Sequence, residues 1–151
     1  MRIRVTIFML FALTTLTRLA RPLAHDEESV EQLIVRAESA PLGDRPALYI
    51  RIARRQAEAA DKLYLAENPE AGNTALKDVV TYSGKASDTA ASTGKKLKDT
   101  EIALRKMAEK FRDVKHNLPF DDQAPVQEAI DRLEKMRTDL LSAMFGKKGK
   151  K

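Results

Sequence analysis

A chain of 151 residues suffices for one modest domain, and with 32% charged side chains, 5% aromatics and no Trp it lacks the bulk of a thick core. The absence of Cys excludes disulfides, thiolate chemistry, Cys-ligated zinc, iron–sulfur clusters, covalent c-type haem and bacterial lipidation. The formal charge of +5 sits at the two ends, because the body from His25 to Gly146 holds 19 basic and 22 acidic side chains, a net of −3. Nucleic-acid binding needs a basic face on the folded domain, so the basic balance gives no sign of a nucleic-acid partner.

The chain opens on Met1-Arg-Ile-Arg, followed by an apolar run of 13 residues, Val5–Thr17, and then Arg18. A charged start and an apolar run shorter than the roughly 20 residues that span a bilayer predict a signal peptide over residues 1–24. Ala20 and Ala24 both offer a small residue for cleavage, and Ala24 is preferred. The alternative is an uncleaved segment that holds the protein at the membrane. The expected location is periplasmic or secreted.

Four helices are predicted, over residues 26–40, 45–67, 69–118 and 122–145, in a domain covering 25–146. In the first, Val30, Leu33, Ile34 and Ala37 form an apolar stripe behind an acidic first turn, and Pro41, Gly43 and Asp44 break the chain. The second has Pro46 in its first turn and a face of Tyr49, Ala53, Ala60 and Leu63, and Asn68 is placed to cap the helix after it.

The third segment is the most informative. Alternating steps of three and four lead from Leu76 through Val79, Ser83, Ala86, Ala90, Thr93, Leu97, Thr100, Leu104, Met107, Phe111 and Val114 to Leu118 without a slip. A coiled-coil-like seam of that length predicts one continuous helix, about 75 Å long at 1.5 Å per residue. The alternative is a break near Ser92-Thr93-Gly94 that folds the two halves into a compact bundle. In the last helix Val126, Ile130, Leu133, Met136, Leu140 and Met144 repeat the seam, and Glu128/Arg132 and Asp131/Lys135 have i,i+4 spacing. Short turns require antiparallel neighbours. The expected fold is therefore all-α without β-sheet, an elongated bundle of antiparallel helical hairpins on one long central helix.

Chemistry-bearing patterns are sparse. His25 and His116 have no second ligand at metal-binding spacing, and Asp121-Asp122 reads as a helix cap. No nucleophile elbow, phosphate loop or dinucleotide loop is present, so the sequence points away from an enzyme and implies no cofactor or metal. Basic clusters occur at Arg51/Arg54/Arg55, at Lys95/Lys96/Lys98 and from Arg105 to Lys115, the last interleaved with acids as on a solvated helix face. Two candidate sites remain. The seam Ser83, Ala86, Ala90, Thr93 and Gly94 holds only small residues, which would let a partner helix or a second copy approach closely. The tail Lys147, Lys148, Lys150 and Lys151 suits peripheral contact with an anionic membrane surface, and is expected to be unstructured over 147–151.

Residues Arg45–Ala86 resemble, in outline, one helix-turn-helix repeat of the tetratricopeptide type through Tyr49, Ala53, Ala60 and Ala75. No proline closes the second helix and no second copy follows, so the unit reads as a generic helical hairpin. The segments DRPALYIRIARRQAEAADKLY, GKKLKDTEIALRKMAEKFRD and DDQAPVQEAIDRLEKMRTDLL resemble uncharacterised small exported helical proteins of bacteria, over residues 45–146. That resemblance implies export and carries no activity or site residues with it. The expected function is a non-enzymatic interaction or structural module outside the cytoplasm, with peripheral envelope binding through the Lys tail as the alternative.

Overall fold

The computed structural model describes residues 28–146, and among them there are five α-helices, a short 3-10 turn and no strand. The predicted leader with its cleavage site, His25 and the Lys147–Lys151 tail lie outside the described residues. Helix α1 spans Val30–Ser39, α2 Arg45–Leu65, α3 Pro69–Thr93, α4 Leu97–His116 and α5 Gln123–Phe145. The all-α architecture is as expected from the sequence.

Local chemistry sets the helix ends. Ser29 and Gln32 form a reciprocal capping box, with Ser29 Oγ accepting from the Gln32 N–H at 3.2 Å and Gln32 Oε1 accepting from the Ser29 N–H at 2.8 Å. Helix α1 therefore starts at Val30 and not at Asp26. Its last carbonyls are satisfied from outside, since the Arg45 guanidinium donates to Ala40 O and Glu38 O, each at 2.9 Å. Asn68 caps α3 as its sequence position suggests, accepting from the Ala71 N–H at 3.2 Å. Asp122, at the N-cap of α5, makes no such side-chain bond; the turn before it closes through its backbone N–H to Pro119 O at 3.0 Å.

The single helix expected over 69–118 does not exist. The chain leaves α3 at Gly94, whose φ of 69° is the left-handed conformation that ends helices, and re-enters α4 after Lys96, also left-handed at 60°. Hydroxyls fasten this exit: Thr93 Oγ1 donates to Thr89 O at 2.7 Å and accepts from the Lys95 N–H at 3.3 Å. Thr93 and Leu97 are four residues apart, so the seam spacing continues across a three-residue linker although the helix does not. Both stripes face one interior, which is why the phase alone did not reveal the break.

The outcome is a compact bundle in place of a rod. The closest packing is within the antiparallel hairpins α2/α3 and α4/α5. Helices α3 and α5 run side by side in the same direction, with Asn73–Thr81 facing Ala124–Arg132 and Gly84 facing Met136. Helices α2 and α4 also run parallel and meet at their C-terminal ends, where Lys110 Nζ pairs with Asp61. Helix α1 lies antiparallel on α2, burying Leu33 and Ala37. It is latched by Glu38, whose carboxylate accepts from Lys85 Nζ at 3.1 Å and Tyr49 Oη at 3.2 Å. The Lys85 hydrogen bond and charge hold the Glu38 carboxyl below its ordinary range. Lys85 also stands 5.5 Å from the Tyr49 ring centre and 5.3 Å from that of Tyr82.

Large side chains fill the middle of the bundle: Leu33, Ile52, Val79, Leu104, Phe111, Val126, Leu133 and Leu140 are fully buried. Around them α2 and α3 supply small ones, among them Ala53, Ala57 and Ala60 facing a helix that carries Gly72, Ala75, Ala86 and Ala90. A Cβ at Gly72 would lie 3.0 Å from the Tyr64 ring, so the hairpin closes by near contact of backbone and ring.

Ser83 is completely buried within this packing, and its Oγ has no hydrogen-bond partner among the described residues. A buried hydroxyl without a partner costs on the order of 1–3 kcal/mol. Ser83→Ala is expected to raise stability by about 1 kcal/mol in a denaturant titration, whereas Ala90→Leu, which overfills a closed site, should lower it by about 1–3 kcal/mol. A loss of stability in the Ser83 variant would mean that the hydroxyl is satisfied.

Candidate functional site

The small-residue seam does not form an open surface. Ser83, Ala86 and Ala90 are fully buried inside the bundle, Thr93 is half-buried, and of the five candidates only Gly94 is exposed. The predicted partner seam is thus occupied by the protein's own helices, because the fold-back at Gly94 closes over it. The other candidate, the Lys147–Lys151 tail, follows directly on Gly146 at the end of α5 in a part of the chain outside the described residues.

What the fold assembles instead is a basic end. The turn from α3 to α4 and the start of α4 carry Lys95, Lys96 and Lys98, all exposed. It borders a concavity of about 450 Å³ shared with Leu97, Met144 and Phe145 from the end of α5. The Lys95 stem crosses Gly43, where a Cβ would come within 2.6 Å of Lys95 Cδ, so the α1–α2 turn with Leu42 belongs to the same end. Leu42 and Phe145 stand out of the surface here, 60% and 61% exposed. Among the described residues Lys95 and Lys98 make no ion pair, and Lys96 has only a 3.7 Å contact with Asp99.

Many other cations are engaged on the sides of the bundle, although Arg54, Lys77 and Lys106 are exposed there without an ion pair among the described residues. Arg51 reaches Glu28 at 3.6 Å and Arg55 donates to the Glu28 carbonyl. Arg112 pairs with Glu134 at 2.8 Å, Arg137 with Glu101 at 2.6 Å and Arg105 with Glu109 at 3.3 Å. Lys115 donates to Gln127 at 2.6 Å. On the basic run of α4, Arg105 pairs with an interleaved acid, Lys110 and Arg112 pair across to α2 and α5, and Lys106 is exposed. Of the i,i+4 pairs on α5, Glu128–Arg132 forms at 2.6 Å, while Lys135 turns to Asp139 at 2.8 Å and Asp131 accepts from Gln127.

The opposite end has the reverse character. The α2–α3 turn and the start of α3 bring Glu67 and Glu70, the α4–α5 turn brings Asp121 and Asp122, and residues 66–70 and 117–125 contain no Lys or Arg. Leu65 is 75% exposed and Phe120 is 87% exposed there. Tyr64 lies beneath, donating to Asn73 Oδ1 at 2.7 Å; burial, with the charge of Asp122 adding to it, pushes its phenol up to about 12. The sequence alone marks none of Leu42, Leu65, Phe120 and Phe145 as surface residues, because each continues or adjoins an apolar pattern.

A further groove of about 740 Å³ runs between α3 and α5, with Leu76, Val80, Pro125 and Ala129 along it and the paired Glu128 and Arg132 on its rim. Among the described residues no group of three or more His, Cys, Asp and Glu is arranged to hold a metal, and no helix is long and apolar enough to cross a membrane. His116 is exposed at the end of α4. No known family model, curated protein or solved structure matches the chain.

Two local consequences are measurable. A left-handed backbone costs a side chain-bearing residue about 1–2 kcal/mol, much of which glycine avoids. Lys96→Gly is therefore expected to stabilise the bundle by about 0.5–1 kcal/mol. Gly94→Ala should destabilise it by about 1 kcal/mol through backbone strain alone, since among the described residues no atom lies within 4 Å of a Cβ placed there; a reversal of either sign in thermal unfolding would contradict the turn geometry. For Tyr64, a folded-state value above that of the unfolded chain means that the folded protein holds the proton longer. Its contribution is complete below pH 10 or so and is lost as pH rises through about 12. Tyr64→Phe should cost about 1 kcal/mol at neutral pH through the lost bond to Asn73, and should flatten the alkaline loss of stability in a pH series of denaturation curves.

Proposed function

We propose that this protein is an exported, non-enzymatic helical interaction module that holds an anionic partner with its Lys-rich end. The observation that carries this reading is the convergence of exposed Lys95, Lys96 and Lys98 with protruding Leu42 and Phe145, at the end from which the chain runs on into four more lysines. Cations there attract anionic groups, and the two apolar side chains add contact area that water does not reward. An anionic envelope surface is one partner of this kind, favoured by the tail: each lysine near such a surface contributes about 1 kcal/mol. The leader over 1–24 would carry the module out of the cytoplasm.

Sedimentation with lipid vesicles tests the reading. Binding to vesicles containing phosphatidylglycerol should exceed binding to phosphatidylcholine vesicles and fade as salt rises. Replacing Lys95, Lys96 and Lys98 together by Ala should weaken it roughly 100-fold, at about 1 kcal/mol per lysine. Equal binding to neutral vesicles, or binding indifferent to the three lysines, would refute it.

A further inference from the structure

Four of the five large apolar side chains exposed on the described surface lie on the two ends of the bundle, Leu42 and Phe145 on one and Leu65 and Phe120 on the other. The fifth, Val35, is on α1. The ends also differ in sign. One presents Lys95, Lys96 and Lys98, against the carboxylates of Asp44 and of the Lys96-paired Asp99. The other presents Glu67, Glu70, Asp121 and Asp122, with Lys62 and His116 as the exposed basic groups nearest to them in sequence and Lys110 already paired to Asp61. Each end thus has the charge and the apolar pair that complement the other.

From this complementarity we propose that the anionic partner of the Lys-rich end is the acidic end of a second copy of this chain, so that the bundles associate head to tail. This rests on the reading that the Lys-rich end binds anions, and names its partner. A contact between two different surfaces of identical molecules leaves one free surface of each kind at either extremity, so it propagates into a linear array and does not stop at a dimer. The end of a four-helix bundle with axes about 10 Å apart presents on the order of 500 Å², below the roughly 800 Å² per partner of a stable interface. Association is therefore concentration-dependent, reversible and dominated by charge. The sides, whose cations are largely paired in place, contribute little.

Sedimentation equilibrium of the full chain as purified from expressing cells provides the test. At low salt the average mass should climb with concentration above that of one chain, and it should return to the single-chain value near 1 M salt, where the screening length falls to about 3 Å. Two variants make the result specific. One carries Lys95→Glu, Lys96→Glu and Lys98→Glu and stops after Gly146; the other carries Glu67→Lys, Glu70→Lys and Asp121→Lys. Each alone should remain monomeric with an unchanged helical circular dichroism spectrum, and an equimolar mixture of the two should regain association. Wild-type protein that stays monomeric while binding phosphatidylglycerol vesicles would overturn head-to-tail docking and leave the anion-binding reading standing. A monomer that binds no such vesicle would remove both. Persistent association of either variant alone, or a mixture that stays monomeric, would also overturn the proposal.

Discussion

Alanine and serine each cover little surface, so a seam built from them is dry only where two backbones come close enough to close over it. That requirement governs the stretch from Ser83 to Ala90. On a lone rod with one shorter helix alongside, these residues would have one shallow neighbour and a wet flank. Folding back at Gly94 places α3 between α2 and α5, and Ser83, Ala86 and Ala90 all become inaccessible to water. The same demand is visible at Gly72, where even one added carbon would meet the Tyr64 ring at 3.0 Å. The large side chains from Ile52 to Leu140 fill the volume that remains.

The bundle's electrostatics follow from that geometry. Once the helices lie side by side, long cationic side chains on one reach acids on the next: Arg137 with Glu101, Arg112 with Glu134, Lys110 with Asp61, Lys85 with Glu38. Partly exposed pairs of this kind contribute little to stability, because solvent screens them. Their larger effect is on the outside field, since a cation paired along the side projects little charge into solution. At the turns fewer such partners are in reach: Lys96 meets Asp99 at 3.7 Å, and Lys95 and Lys98 make no ion pair among the described residues. A chain with a body near neutrality is therefore polar along its axis, basic where α3 meets α4 and acidic where α2 meets α3 and α4 meets α5.

Much of the architecture was legible in the sequence, and the failures have identifiable causes. Periodicity located α1, α2 and α5 within a few residues and merged α3 with α4, Asn68 and Pro46 marked helix starts correctly, and Pro119 marked the stop after α4. The long helix was misread because periodicity reports which side chains face an interior and is silent on whether the axis continues. Thr93 and Leu97 keep their spacing whether three intervening residues wind as helix or reverse the chain. Gly94 held the information, since a left-handed exit favours glycine by an amount comparable to what a helix-interior glycine loses relative to alanine. With the rod went the open seam, whose small side chains signal close packing equally well whether the neighbouring helix belongs to the same chain or to another. The basic end escaped notice for a related reason: Lys95, Lys96 and Lys98 are adjacent in sequence, but their proximity to Leu42 and Phe145 exists only after the bundle forms.

The turn that makes the fold also carries its least comfortable charges. Lys95 and Lys96 lie on the three-residue linker and Lys98 follows in the first turn of α4, so three like charges fall within four residues. Lys96 additionally holds a left-handed backbone that disfavours any residue with a Cβ. The strain raises the free energy of the folded state at this spot, and the exposed charges beside it are open to an anion. Binding and folding are then linked: whatever anionic group occupies the basic end lowers the folded state selectively, by an amount that grows with its concentration relative to its dissociation constant. The strain and the charge therefore bear on the same conclusion from different directions. A turn optimised for stability alone would carry glycine at position 96 and fewer like charges around it, and the turn present here instead keeps its cations exposed beside Leu42 and Phe145.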